Sequence, residues 1–206
     1  MRPQFAETNS LTSSTVSKHK PLGGKLSGGA SLAALAAGLA LGGGVLSAPS
    51  AYALAGIVAT GNGPGPLTVS APALVTESNG DGIKATNYGT DLTVTATDVS
   101  ASQDGIDATN NGTGALLVTS TGSVTATNLG IRAINFGTDL TIDAASVSGS
   151  DGIIVDNRGT GSLSVTSTGT VTGTAGRGIS AENMGTGLNL DIDVAGVTGT
   201  TSGIEA

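Results

Sequence analysis

A six-residue string, Gly-Ile-x-Ala-x-Asn, returns along this chain at nearly constant distance, and it constrains the fold more than any other feature. It stands at Gly82–Asn87, Gly105–Asn110 and Gly130–Asn135, and in looser form at Gly152–Asn157 and Gly178–Asn183. It starts again at Gly203-Ile204. The glycines lie 23, 25, 22, 26 and 25 residues apart. A repeat of this length marks a solenoid or array, in which a unit that cannot bury its own apolar face stacks on its neighbours.

Each copy holds three short runs with period-two alternation, the mark of a β-strand rather than a helix. The first is Ile-x-Ala. A turn of the form Asn-x-Gly-Thr follows, as in Asn87-Tyr88-Gly89-Thr90. The second run is Leu-x-Val or Leu-x-Ile: Leu92/Val94, Leu116/Val118, Leu140/Ile142 and Leu163/Val165, drifting to Leu188-Asn189-Leu190-Asp191-Ile192 in the fifth copy. The third begins at Val99, Val124, Val147, Val171 and Val197. Each buried aliphatic side chain contributes roughly 1.5–3 kcal/mol, whereas each ordered residue costs about 1–2 kcal/mol of backbone entropy. A lone coil with about four such side chains does not hold together. If the coils stack, Ile sits on Ile, Leu on Leu and Val on Val, and backbone polar groups pair between coils. The expected fold is all-β: a right-handed, three-faced parallel β-helix of about 22–26 residues per coil, its hand set by the crossover rule. The small inward residues Ala85, Ala108, Ala133 and Ala181 fit a narrow lumen that rings would overfill, and the chain has only four aromatics, Phe5, Tyr52, Tyr88 and Phe136.

The copies also alternate. The first and third share Thr-Asp-Leu-Thr, at Thr90–Thr93 and Thr138–Thr141; the second and fourth share a longer Gly-Thr-Gly-(Ala/Ser)-Leu, at Gly112–Leu116 and Gly159–Leu163. The true period is therefore two coils. Upstream, Pro66–Val69 and Leu74-Val75 read as a worn partial coil capping the stack, with Gly63–Pro66 as its lead-in.

Residues 1–55 carry a charge balance of +3 and residues 56–206 one of −10. In the first part, Lys18, Lys20 and Lys25 precede the apolar stretch Leu32–Leu41, then Gly42–Gly44 and Ala51-Tyr52-Ala53. A basic start, an apolar middle and an A-x-A site make an export signal. The division is an extended signal peptide over 1–53, a lead-in and cap over 54–81, and β-helix repeats over 82–206. Cleavage is expected after Ala53, or after Ala55 at the next A-x-A site. An uncleaved anchor over Leu26–Leu46 is long enough to span a bilayer, but its glycines and the A-x-A site favour cleavage.

The acidic body offers four scattered cations, so it lacks the basic patch that nucleic acid requires. With no cysteine there are no disulfides and no thiolate metal sites. Asn87, Asn110, Asn135, Asn157 and Asn183 share one repeat position and are expected to form a structural amide ladder. Asp81, Asp104 and Asp151 precede the motif glycine; solvated turn aspartates are the expectation over calcium ligands, because Leu129 and Arg177 break the column. Lys84, Arg132 and Arg177 share the first face on alternate coils, with no acid–base pair legible around them. The only histidine, His19, lies in the leader. No catalysis and no cofactor are expected. Tyr88, Phe136 and Met184, with Asn111 and Arg158 between them, line one corner, Arg158 placed to lie over Phe136. Corner side chains folded over their own coil are expected there, the alternative being a contact line for a partner. Threonine columns at Thr93, Thr95, Thr119, Thr125, Thr166 and Thr172 suit any solvent-facing strand.

The leader, the cysteine-free acidic body and the repeat Gly-Ile-x-Ala-x-Asn-x-Gly-Thr-Gly-x-Leu-x-Val-Thr-Ser-Thr-Gly-x-Val-Thr-Gly resemble the passenger domain of bacterial autotransporters, the type V secretion family, over residues 18–206. The resemblance implies export through the inner membrane, passage across the outer membrane, and a β-helix that serves as an adhesion or presentation stalk on the cell surface or after release. It also implies a C-terminal outer-membrane barrel. These residues hold none and stop within a coil, so the chain reads as a fragment. The ligand of such a stalk, on a host or cell surface, is not legible. A reading from another class is a secreted β-helix enzyme acting on polysaccharide, its catalytic coils lying beyond Ala206.

Overall fold

The structure is a computed structural model and describes residues 44–47, 54–184, 186 and 189–206. Lys18, Lys20, Lys25, the stretch Leu32–Leu41 and the site Ala51-Tyr52-Ala53 lie outside the described residues, as does Leu188. Every regular element among the described residues is a β-strand, so none is a helix long and apolar enough to cross a membrane.

The first strand is β1 (Gly44–Ser47). The first coil comprises β2 (Ile57–Gly61), β3 (Leu67–Ala71) and β4 (Val75–Glu77), and the second β5 (Ile83–Asn87), β6 (Leu92–Ala96) and β7 (Val99–Ala101). In the next coils the second and third runs fuse into one long strand. These are β8 (Ile106–Asn110) with β9 (Leu116–Ala126), β10 (Leu129–Asn135) with β11 (Leu140–Gly149), β12 (Asp151–Asn157) with β13 (Leu163–Gly173), and β14 (Arg177–Asn183) with β15 (Leu190–Gly199). A last strand, β16 (Ser202–Glu205), opens a further coil. The molecule is thus a parallel β-solenoid of six turns, with the Ile-x-Ala strands in one sheet and the other two runs in a second.

Like residues stack on like. Ile57, Ile83, Ile106, Ile131, Ile153, Ile179 and Ile204 form one column of paired Cα positions. Leu67, Leu92, Leu116, Leu140, Leu163 and Leu190 form another. The third run stacks from Val75 through Val99, Val124, Val147 and Val171 to Val197. From the second coil to the fifth these side chains are sealed from solvent. In the sixth coil the register selects Leu190 for the leucine column.

The motif glycine is fixed by the coil above. A Cβ on Gly105 would lie 2.5 Å from both the Gly130 carbonyl oxygen and a Val124 methyl, and Gly82, Gly130, Gly152 and Gly178 meet the equivalent atoms. Adjacent coils close this corner at backbone contact, so only glycine fits.

One stretch differs from the sequence reading. The partial coil expected at Pro66–Val75 is complete: Ile57-Val58-Ala59 supplies its first run, paired in register with Ile83-Lys84-Ala85. It was hidden because Gly61 stands where later coils carry asparagine. In addition, β1, within the stretch read as a leader, pairs in parallel with Leu67–Ser70 of β3.

Candidate functional site

The longest polar constellation is the asparagine column at the end of the first face. Asn87, Asn110, Asn135 and Asn157 are fully buried. Each Nδ2 donates to the Oδ1 of the asparagine above: Asn87 to Asn110 at 3.1 Å, Asn110 to Asn135 at 3.0 Å, Asn135 to Asn157 at 3.1 Å, and Asn157 to Asn183 at 3.1 Å. Each Nδ2 also donates to carbonyls of its own turn, as Asn135 does to Thr138 (3.0 Å) and Asp139 (3.1 Å). The Oδ1 atoms of Asn87, Asn110 and Asn135 accept the N–H of the glycine two residues on, at 3.2–3.3 Å. These amides are saturated within the protein, and aligned amide chains polarise one another. The column holds the corner.

The turn aspartates are not merely solvated. Asp81 Oδ1 accepts the N–H of Asp104 at 3.2 Å; Asp104 Oδ1 accepts the N–H of Leu129 (3.1 Å) and Nδ2 of Asn128 (2.7 Å); Asp151 Oδ1 accepts the N–H of Arg177 at 2.7 Å. Each carboxylate therefore reaches forward and pins the next coil. Asp91 and Asp139 do the same at another corner, accepting the N–H of Ala115 and Ser162, both at 2.8 Å. Asp98 pins Ser123 through its N–H at 2.8 Å.

These pins explain the two-coil period. A Cβ on Gly114 would collide with the Asp91 carboxylate, and one on Gly161 with that of Asp139. The extra glycine of the even copies makes room for the aspartate of the odd ones. Serine marks the same alternation: Ser120 and Ser167, nearly buried, donate back to the carbonyls of Thr97 (3.1 Å) and Ala145 (2.8 Å). The sequence signal was present in the alternating strings, but its meaning needed the neighbouring coil.

Asp107 was missed as a partner for the first-face cations. It stacks between Lys84 and Arg132, accepting from Lys84 Nζ on one oxygen and Arg132 Nη1 on the other, both at 2.9 Å. Lys84 also reaches Asp81 at 3.1 Å. The hydrogen bond to Asp107 first, and that to Asp81 second, hold the Lys84 ammonium above its ordinary pKa. Arg177 stands apart, near Asp151 (3.4 Å) and Glu205 (3.5 Å). Alternation of charge at the x of Gly-Ile-x-Ala was the readable signal. As arranged, Asp107 is an ionic rivet, its two oxygens engaged by cations on either side.

The corner column runs Tyr88, Asn111, Phe136, Arg158, Met184, all exposed. Their backbone N–H groups donate to the coil beneath, at Gly61, Asn87, Asn110, Asn135 and Asn157, over 2.7–2.9 Å. The Arg158 guanidinium lies 5.4 Å from the Phe136 ring centroid, and its Nε donates to Asp156 at 2.6 Å. Tyr88 is 57% exposed, and Phe136 and Met184 are 45% exposed. These side chains thus stand about half covered along one corner of the stack. Against known protein families, curated proteins and solved structures, the chain shows no match.

Proposed function

We propose that this chain is the N-terminal part of an exported, non-catalytic passenger that serves as a stalk at a bacterial cell surface, in the manner of autotransporter passengers. The observation that supports this best is the in-register stack. Each coil is held by contacts to the coils next to it, so structure can accumulate coil by coil as a chain emerges. The polar groups support the non-catalytic part of the reading, since the asparagines and most turn carboxylates are engaged in holding one coil to the next. A membrane barrel in the same full-length chain belongs to this proposal.

Export would proceed through the leader, with cleavage after Ala53. Leu54 supports that site over Ala55: its N–H donates to the Leu74 carbonyl and its own carbonyl accepts from Thr76, both at 2.7 Å. Cleavage after Ala53 preserves this bridge, and cleavage after Ala55 removes it.

The test is expression in a Gram-negative host upstream of an autotransporter barrel, followed by N-terminal sequencing and protease challenge of intact cells. The expected result is a surface protein beginning at Leu54 whose coils resist digestion. Retention in the cytoplasm with Met1 intact would overturn the proposal.

A further inference from the structure

We infer that Asn79-Gly80, in the turn between β4 and β5, is a self-modification site: the chain converts its own Asn79 to aspartate and isoaspartate, with water as the only co-reactant, and so loosens its first coil. This goes beyond the stalk reading and does not depend on how the stack reaches a cell surface.

The reaction is attack by a main-chain nitrogen on the side chain before it. The Gly80 nitrogen gives its proton to hydroxide and adds to Cγ of Asn79; the Cγ–Nδ2 bond breaks, and Nδ2 leaves as ammonia. Water then opens the cyclic imide at Cγ, giving aspartate, or at the main-chain carbonyl carbon, giving isoaspartate. Glycine after the asparagine permits the approach because it has no Cβ in the way. The attack also needs a nitrogen free of hydrogen bonds and a main chain free to turn.

Asn-Gly occurs at Asn62-Gly63, Asn79-Gly80 and Asn111-Gly112, and the structure sets the three apart. Gly112 is buried and its N–H donates to Asn110 Oδ1 of the ladder at 3.2 Å; the Asn111 and Thr113 N–H groups beside it donate to the coil beneath. Gly63 follows no ladder asparagine, but its corner is closed by the coil above. Tyr88 donates to the Gly61 carbonyl and Thr90 to that of Gly65, and a Cβ on Gly89 would lie 2.5 Å from the Gly63 carbonyl oxygen. Asn79 is exposed. Among the described residues the Gly80 N–H donates to no backbone carbonyl or side chain, and a Cβ on Gly80 would meet only Glu77 Cγ, at 3.7 Å. This turn alone has the room to close the ring.

The product would disturb a defined set of contacts. The Asn79 N–H donates to one oxygen of Glu77, whose other oxygen holds the Gly56 N–H, both at 3.0 Å. From the next coil, the Gln103 N–H donates to the Gly80 carbonyl at 3.1 Å and its Nε2 to the Asn79 carbonyl at 3.4 Å. Isoaspartate lengthens the main chain by a methylene inside this set and carries the Gly80 carbonyl away from Gln103. The new carboxylate also repels that of Glu77.

The experiment is incubation of the full chain in warm, mildly alkaline buffer, with peptide mapping by mass spectrometry at the three steps and hydrogen exchange on fresh and aged protein. Asn79 should react about tenfold or more faster than Asn111, since one hydrogen bond at the attacking nitrogen accounts for a factor of that order, and faster than Asn62. In urea the three rates should converge. Ageing should speed exchange at the Gly56 and Gln103 amides in the wild type and not in Asn79→Gln. Gly80→Ala, for which there is room, should slow the reaction with an unchanged circular-dichroism spectrum. Absence of reaction at Asn79, equal or faster reaction at Asn62 or Asn111, or a lead for Asn79 that persists in urea overturns the inference. So does modification at Asn79 that leaves exchange at Gly56 and Gln103 unchanged. None of these outcomes bears on leader cleavage or export.

Discussion

The third coil and the coil around Leu190 and Ile204 carry the same motif and differ in what it achieves. Ile106 and Leu116 are sealed, whereas Leu190 is 38% exposed and Ile204, in the strand beyond it, 45% exposed. The Ile-x-Ala string is the same at Ile106-Asp107-Ala108 and Ile204-Glu205-Ala206. What differs is the number of neighbours. A side chain inside the tube is covered by its own coil and by the coils above and below, so burial belongs to position in the stack rather than to the motif. Stability in such a molecule is close to a sum of coil and interface contributions, and a coil with one covered side has only part of the interface contribution.

The sharpest test of that difference is a pair of truncations. Ile131 stacks between Ile106 and Ile153 in the fully buried column, so Ile131→Ala should cost about 2–5 kcal/mol. Ile204→Ala should cost about 0.5 kcal/mol or less. Urea unfolding followed by circular dichroism measures both, and equal costs would break the comparison.

The asparagine ladder offers a second contrast, somewhat smaller. Asn135→Ala removes the donor to the Asn157 Oδ1 and to the Thr138 carbonyl, and the acceptor of the Gly137 N–H. Leaving buried polar groups unpaired costs about 1–3 kcal/mol apiece where water cannot reach them. Asn183→Ala, higher in the column and only partly buried, should cost less than half as much as Asn135→Ala in the same unfolding assay.

A third test concerns the odd–even alternation. Gly114→Ala drives a methyl group into the Asp91 carboxylate and toward the Thr90 backbone, which should cost about 1–3 kcal/mol. Asp91→Ala in the same chain should recover part of that loss, so a double-mutant cycle should be non-additive. Strict additivity would mean that Asp91 and Gly114 do not share the corner.

The smallest expected effects are those of pH, and they begin in the first coil. The Glu77 carboxylate accepts the N–H of Asn79 and of Gly56, each at 3.0 Å, which holds it below its ordinary pKa of 4.5. A lowered folded pKa gives stability that is present above pH 4.5 and is lost as pH falls below it through the folded value. Lys84 runs the other way. Its contribution is present below its ordinary value of 10.5 and is lost as pH rises beyond that through the raised folded value. Hydrogen exchange should show acid softening around Gly56 that Glu77→Gln removes, and alkaline softening between β5 and β8 that Lys84→Met removes.

Legibility followed the range of the interaction. The Ile, Leu and Val columns and the asparagine column were readable because a stacked fold places equal repeat positions together, so a string comparison is already a contact map. The first coil was legible only in part: its opening run Ile57-Val58-Ala59 lacks the Asn-x-Gly-Thr turn, although the strand pairs in full register with β5. The aspartate pins escaped for another reason. Asp91 grips the N–H of Ala115, which holds the equal position one coil on, just before the paired Leu92 and Leu116, but the two residues differ in type, so a search for like residues shows no column there. Asp107 escaped in the same way, since its role rests on the different charges of Lys84 and Arg132 in the coils beside it.

The amino-acid order alone determined the strand periodicity, the coil length and the identity of the buried columns, because these depend only on side-chain alternation and repetition. Tertiary structure decided which leucine of the last copy enters the column, how far each repeat is buried, which carboxylates grip the coil above, and that Tyr88, Phe136 and Met184 stand out in solvent. Those outcomes depend on the distance between one coil and the next, a quantity that exists only once the chain has closed its turns and stacked.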